Sequence, residues 1–188
     1  NHDVAPSTKP TIAVIGGGPA GLMAAEAALA HDCGVDIYDS MPSLGRKFLM
    51  AGKGGLNLTH SEPLASFLTR YGARRPSLEP LVHALDPDAL RDWAGRLGIE
   101  TFIGTSGRIF PTDFKAAPLL RAWLHRLREA GARIHVRHRW HGWASDGALL
   151  FETPHGERRA RRRKGSSAEL FGLTVHFGGG RAVAGLRV

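Results

Sequence analysis

An apolar run, TIAVI (11–15), leads into GGGPAG (16–21), then an alanine-rich stretch, then VDIYD ending on Asp39. Gly16, Gly18 and Gly21 have the spacing G-x-G-x-x-G, and an acid stands 18 residues beyond the last of them. Three glycines at fixed spacing recur by chance. Set between a strand and a helix, with that acid downstream, they form the fingerprint of a dinucleotide-binding βαβ unit. The uncharged, β-branched run Thr11–Ile15 suits a central parallel strand buried on both faces. Gly16 permits a tight turn, Gly18 presents no Cβ to a diphosphate, and Gly21 lets a helix lie close to the strand. Pro19 and Ala20 fall in the first helical turn, where a missing N–H is tolerated. The helix N-terminus offers free N–H groups and partial positive charge to phosphates. Val35–Tyr38 reads as the second strand, and Asp39 at its end is placed to accept hydrogen bonds from ribose hydroxyls. A carboxylate there disfavours a 2′-phosphate, so FAD or NAD fits better than NADP. The competing reading is a glycine-rich turn in some other α/β protein.

Composition narrows the setting. With 188 residues, 43% hydrophobic and 22% charged, the chain has the makeup of a globular protein, either one domain or part of a larger one. No apolar run approaches the roughly 20 residues needed to span a bilayer. NHDVAPSTKP (1–10) reads as a loose, disordered polar tail without a signal pattern, and the absence of an initiator Met points to a trimmed or partial chain. A lone cysteine, Cys33, excludes an internal disulfide framework and a multi-thiolate zinc site, and a structural role is expected for it. No metal site is expected, and the reducing cytoplasm is the default location. The net charge of +8 is uneven: residues 121–164 hold twelve Arg or Lys against four Asp or Glu, ending in RRARRRK (158–164). Such a block attracts nucleic acid or anionic lipid. No interleaved aromatics or DNA-reading module accompany it, so neither a nucleic-acid partner nor a membrane is expected.

Beyond Asp39, residues 40–63 hold Gly45, Gly52, Gly54 and Gly55 together with Arg46, Lys47 and Lys53. They read as a second glycine-and-cation loop suited to an anion; a loop of that length in a compact domain is commonly functional. Helical spacing recurs at 64–72 and 78–85. Asp86 or Asp88 can cap a helix through Leu97, with Leu90, Trp93 and Leu97 on its apolar face. ETFIGTSGRIFPTD (100–113) reads as two short strands about a Ser-Gly turn. KAAPLLRAWLHRLREAGA (115–132) predicts a helix with Leu119, Leu120, Trp123, Leu124 and Leu127 buried, His125 on the flank and Gly131 ending it. Arg133–Arg139 alternates as another strand, and Asp146-Gly147 marks a hairpin within 140–153. The order of elements predicts an α/β fold: a parallel sheet with helices on both faces and an antiparallel hairpin appendage.

The stretch GRKFLMAGKGGLNLTHS (45–61) resembles a specific group, the HI0933-like (BaiN-type) bacterial flavoproteins, which are NAD(P)/FAD-dependent oxidoreductases. Gly45, Arg46, Lys47, Leu49, Ala51, Gly52, Gly54, Asn57 and Thr59 match its pattern G-R-K-x-L-x-[SA]-G-x-G-x-x-N-x-T. GTSGRIFPTDFKAAPLLRAWLHRLR (104–128) is similar to its G-x-x-G-R-[VI]-F-P block and following helix, so the resemblance covers about 11–155. It implies a Rossmann-like FAD/NAD(P)-binding domain over 11–157, with Gly16, Gly18 and Gly21 at the FAD pyrophosphate and Asp39 at the adenosine ribose. It further implies Arg46 and Lys47 near ribose or diphosphate and the Gly52–Asn57 loop near the flavin. Residues after the 133–139 strand would border the adenine, mainly through backbone.

Departures matter as well. Many relatives carry G-R-C-N-x-T-N where this chain has Gly55, Leu56, Asn57, Leu58, Thr59 and His60, so no loop cysteine is available. The resemblance implies the N-terminal half of such a flavoprotein, an incomplete domain followed by a basic, glycine-rich tail at 158–188. The expected function is then FAD-dependent oxidoreduction, with hydride transfer through flavin N5 and NAD(P)H as possible electron donor. No catalytic residue can be named, because no local His, Asp or Glu arrangement serves proton transfer. Alternatives are an NAD-dependent dehydrogenase domain, a basic nucleic-acid-binding module around 121–164, and an inactive fragment.

Overall fold

The computed structural model describes residues 9–160 and, as backbone alone, two strands within 173–184. Residues 1–8 of the tail expected over 1–10, and the end of the RRARRRK run, lie outside the described residues. The chain opens with β1 (Thr11–Ile15), α1 (Pro19–Ala30) and β2 (Gly34–Tyr38). It continues through α2 (Arg46–Ala51), β3 (Thr59–His60), α3 (Leu64–Thr69), α4 (Arg75–Ala84) and α5 (Pro87–Arg96), with 3-10 turns at Gly52–Gly54 and Gly72–Arg74. Next come β4 (Thr101–Ile103), β5 (Arg108–Pro111), α6 (Ala116–Glu129) and β6 (Arg133–His135). The last strands are β7 (Arg139–Trp143), β8 (Leu149–Thr153), β9 (Gly156–Ala160), β10 (Leu173–Phe177) and β11 (Gly180–Ala184).

Two compact units result, one drawn from Asn1–Arg46 with Leu127–Val188, the other Lys47–Arg126. The first holds the Rossmann-type core: β1 pairs parallel with β2, and β2 pairs parallel with β6. Val14, Val35 and Ile37 on these strands are buried, and so are Leu22, Ala25 and Ala28 of α1. Alanine at two of those three helical positions keeps the helix surface shallow, which suits close packing on a sheet. The predicted parallel sheet, helix and antiparallel appendage are therefore present. The appendage has three strands in the order β7-β8-β9, joined at the predicted Asp146-Gly147 turn and again at Thr153–Gly156.

In the second unit β5 lies between β3 and β4, antiparallel to both, about the predicted Ser-Gly turn. Asp86 caps α5, its Oδ1 accepting from the Ala89 N–H at 2.8 Å. Trp93 of α5 is buried edge-on against Trp123 of α6, ring centroids 4.7 Å apart. The α6 stripe is as expected: Leu119, Leu120, Trp123 and Leu127 are buried, Leu124 is half-buried and His125 is exposed.

Three expectations need correction. The strand Thr11–Ile15, expected to be central and buried on both faces, stands at the end of the described order β1-β2-β6, and of its residues only Val14 is buried. The segment after Gly45 is not an open loop but the helix α2 followed by a 3-10 turn. Arg, Lys, Leu, Met and Ala are all strong helix formers, and the neighbouring glycines had hidden that run. The strand expected over 133–139 stops at His135, because Arg137 adopts a left-handed φ of 57° and re-aims the chain into β7. No helix among the described residues is long and apolar enough to cross a membrane.

Candidate functional site

The turn between β1 and α1 is built around three constraints. Gly16 has φ 104°, a conformation that side chains rarely adopt, while its N–H still donates to the Tyr38 carbonyl at 2.8 Å. Gly18 is the N-cap of α1 and Pro19 its first residue. A Cβ on Gly21 would lie 1.9 Å from the Gly16 carbonyl oxygen, so only glycine lets the helix approach this turn. A Cβ on Gly18 would meet nothing within 4 Å. That face is open. The first-turn N–H groups of Ala20 and Gly21 have no earlier helical carbonyl to reach, which leaves them for an anion.

Asp39 does more than the sequence showed. Its Oδ2 accepts from the Gly17 N–H at 2.7 Å and its Oδ1 from the Met41 N–H at 2.8 Å. The carboxylate thus ties the glycine turn to the end of β2. Gly17 is buried and its carbonyl accepts from the Gly45 N–H at 2.8 Å, with Leu44 buried alongside. Gly17, Leu44 and Gly45 are site-building residues that the G-x-G-x-x-G spacing passes over. The tight Gly-Gly-Gly run was the available signal for the first.

Of the eleven sequence-predicted cofactor residues, the first unit holds Gly16, Gly18, Pro19, Ala20, Gly21, Asp39 and Arg46. Lys47, Gly52, Gly54 and Asn57 belong to the second unit. Arg46, Lys47, Gly54 and Asn57 are exposed. Gly52 has a packing reason of its own, since a Cβ there would sit 2.5 Å from the Ala116 Cβ at the start of α6. The 55–58 segment is laid along β5: Leu56 N–H donates to the Phe114 carbonyl at 2.9 Å and Leu58 N–H to Ile109 at 2.8 Å. Phe114 itself has φ 59° and packs its ring against Gly55, in a cluster with Phe102 and Phe110.

One charged cluster tunes the edge of the parallel sheet. Asp36 of β2 sits opposite Arg133 of β6 in register, accepting from its Nε at 2.7 Å and from its Nη2 at 2.5 Å. His135 Nε2 lies 2.7 Å from Asp36 Oδ1. Burial works to raise the Asp36 pKa, but the hydrogen bonds from Arg133 and His135 and their charge outweigh it. The net direction is downward from 3.8. The native state therefore holds the Asp36 proton less tightly than the unfolded chain. The stabilisation is complete above the unfolded value and fades as pH falls through the lower native one. Urea midpoints of the wild type and Asp36→Asn should converge as the pH drops below about 3.8 and separate above it. A gap that stays constant across that range would refute the assignment.

Comparison with known proteins bears on the family and the fold. The model of the HI0933-like protein Rossmann domain matches residues 10–164. A 3-ketosteroid-Δ4-(5α)-dehydrogenase from Rhodococcus jostii RHA1, solved with 4-androstene-3,17-dione, is similar over 87% of this chain and 46% of its own, at 15% identity and TM-score 0.58. The open conformation of a flavocytochrome c3 fumarate reductase is similar over 82% of this chain and 32% of its own, at 16% identity and TM-score 0.59. A THI4 protein from Thermovibrio ammonificans is similar over 80% of this chain and 53% of its own, at 14% identity and TM-score 0.49. This chain thus spans about half or less of each of these solved chains, and for the dehydrogenase and the fumarate reductase the likeness is one of fold.

Proposed function

The chain belongs to the HI0933-like Rossmann-domain family, and on that premise we propose that it is an FAD-binding flavoprotein oxidoreductase module. The observation that carries the reading is the pairing of Gly21 with Gly18. One is forbidden a side chain by the fold, while the other has room for one that the sequence does not use. A fold alone explains the first glycine. Glycine's fitness for the N-cap and a ligand brought close to the turn together explain the second.

The residues present fit the group. Gly18, Ala20 and Gly21 bring backbone N–H donors to the start of α1, where the helix end carries partial positive charge for a diphosphate. Asp39 accepts two backbone N–H groups and, as a carboxylate with about four lone-pair sites, keeps capacity for ribose hydroxyls. Arg46 supplies an exposed guanidinium on the same unit. In the second unit, which holds Lys47, Gly52, Gly54 and Asn57, the 55–58 backbone is held by its bonds to Phe114 and Ile109. When bound, a flavin supplies two-electron chemistry by taking a hydride at N5, with reduced NAD(P) as a fitting donor. The chain's own part is to bind and orient.

Titration of the full 188-residue chain with FAD tests the proposal. The expected result is quenched flavin fluorescence and an absorbance band near about 450 nm that stays with the protein on gel filtration. A folded chain that retains no flavin, or that takes NAD in its place, would overturn it.

A further inference from the structure

In the second unit, β3 carries a histidine whose two ring nitrogens are both engaged. His60 Nδ1 accepts from the Glu62 N–H at 3.1 Å, and His60 Nε2 lies 3.0 Å from the Ser106 carbonyl oxygen. An amide N–H only donates and a carbonyl only accepts, so the ring is neutral, with its proton on Nε2. The ring packs on the turn between β4 and β5, where a Cβ on Gly107 would lie 2.7 Å from its Cε1. The Ser61 N–H strengthens the same contact, donating to the Gly107 carbonyl at 2.8 Å.

Glu62 has two claimants. Its Oε2 accepts from Nη2 of Arg70, the C-cap of α3, at 3.0 Å. Its Oε1 has the Arg70 Nε beside it but no aligned donor, and that oxygen is sealed from solvent. His60 Nδ1 stands 3.7 Å from the same oxygen. A buried carboxylate oxygen without a hydrogen bond is rare, and here a second nitrogen waits within reach of it. The other charged groups near the ring are Arg108, opposite it in the β3–β5 register, and those of α5, which packs against β3. Arg91 of α5 is turned to the Thr101 hydroxyl at 3.2 Å, and Asp88, Asp92 and Arg96 are exposed.

We propose that His60 and Glu62 form a proton-operated switch that sets the hold of α3 on β3. With His60 neutral, its Nδ1 holds the Glu62 N–H, and Arg70 alone holds the carboxylate. A second ring proton, taken from water at Nδ1, sets two N–H donors against each other across 3.1 Å. The imidazolium then turns to Oε1, and a shift of about 1 Å brings the pair into hydrogen-bond range. Glu62 is drawn away from Arg70, and its N–H is released. The helix so loosened is weak by itself: α3 has six residues, no side-chain N-cap and only Leu68 buried. The His60 side chain is 21% exposed, which gives the proton its route from water.

NMR of the full 188-residue chain tests the switch from about pH 8 to about pH 5, the range in which imidazole side chains change charge. At the alkaline end the ring-nitrogen shifts of His60 should report the Nε2–H tautomer. On acidification the exchange protection of the Glu62, Phe67, Arg70 and Tyr71 amides, corrected for intrinsic rates, should fall. The expected fall is about tenfold, as the loss of one hydrogen bond to a charged group implies. The Leu119 and Leu120 amides of the buried α6 stripe should keep their protection, which separates the switch from acid unfolding. His60→Asn retains an acceptor near Nδ1 without a titrating ring, so its α3 protection should stay high at both ends. Glu62→Gln keeps the N–H and removes the charge that Arg70 holds, so its α3 protection should be low at both ends. The proposal fails if alkaline His60 carries its proton on Nδ1, if α3 protection does not change with pH, or if α6 loses protection in step. A pH response that survives in either variant would also overturn it.

Discussion

Gly21→Ala should lose about 3 kcal/mol of folding stability, the upper end of what overpacking costs. Intrinsic propensity argues the other way, since alanine in a helix is favoured over glycine by about 1 kcal/mol. The packing decides. A Cβ at residue 21 would lie 1.9 Å from the Gly16 oxygen, 3.1 Å from its carbonyl carbon and 3.3 Å from Val14 Cγ1. The nearest of these is backbone, and it cannot step aside cheaply. Gly16 is held by the Tyr38 carbonyl through its own N–H, and Gly17 next to it is held by Asp39. Relief must come from lifting α1 off β1, which exposes Leu22, Ala25 and Ala28. Urea denaturation followed by circular dichroism reads the loss directly. A Gly21→Ala protein as stable as the wild type, or more so, would show that helix and strand do not meet at this point.

Gly18→Ala separates fold from function. Residue 18 has φ −81° and ψ 179°, which any residue adopts, and its Cβ would meet no protein atom within 4 Å. The only folding penalty is the poorer N-cap, of about 1 kcal/mol. A diphosphate drawn to the turn would meet that methyl group first. FAD affinity is therefore expected to fall about a hundredfold, equivalent to about 2.7 kcal/mol, in a protein that loses only about 1 kcal/mol of folding stability. Equal FAD affinity in the two proteins would remove the glycine turn from the cofactor site. Together the two variants make a pair: one methyl group acts chiefly on the fold, and another, three residues away, chiefly on binding.

How far these features could be read in advance depended on the range of the forces behind them. Asp86 as a helix cap, the α6 stripe and the hairpin at Asp146-Gly147 were all legible, since each arises from residues within a turn or two of one another. The helix over Arg46–Ala51 was equally local and was obscured by the glycines and cations around it. Other features had no local signal. Arg137 gives no hint in its composition that it takes a left-handed φ and cuts β6 short. Nor does Arg133 announce that it will stand beside Asp36, 97 positions earlier, and hold that carboxyl low.

The glycine spacing, the β-branched strand before it and the acid after it determined by themselves that residues 11–39 form a strand, a close turn, a helix and a second strand. Steric demand at Gly16 and hydrophobic periodicity are properties of a few consecutive residues, so no distant partner is needed to read them. Only the tertiary structure decided what each member of the fingerprint does. Gly21 faces the Gly16 carbonyl and serves the fold, Gly18 faces open space, and Asp39 spends two acceptor positions on Gly17 and Met41. Those roles depend on which atoms a folded backbone brings within a few ångströms, and distances of that kind do not exist until β1, α1 and β2 have packed.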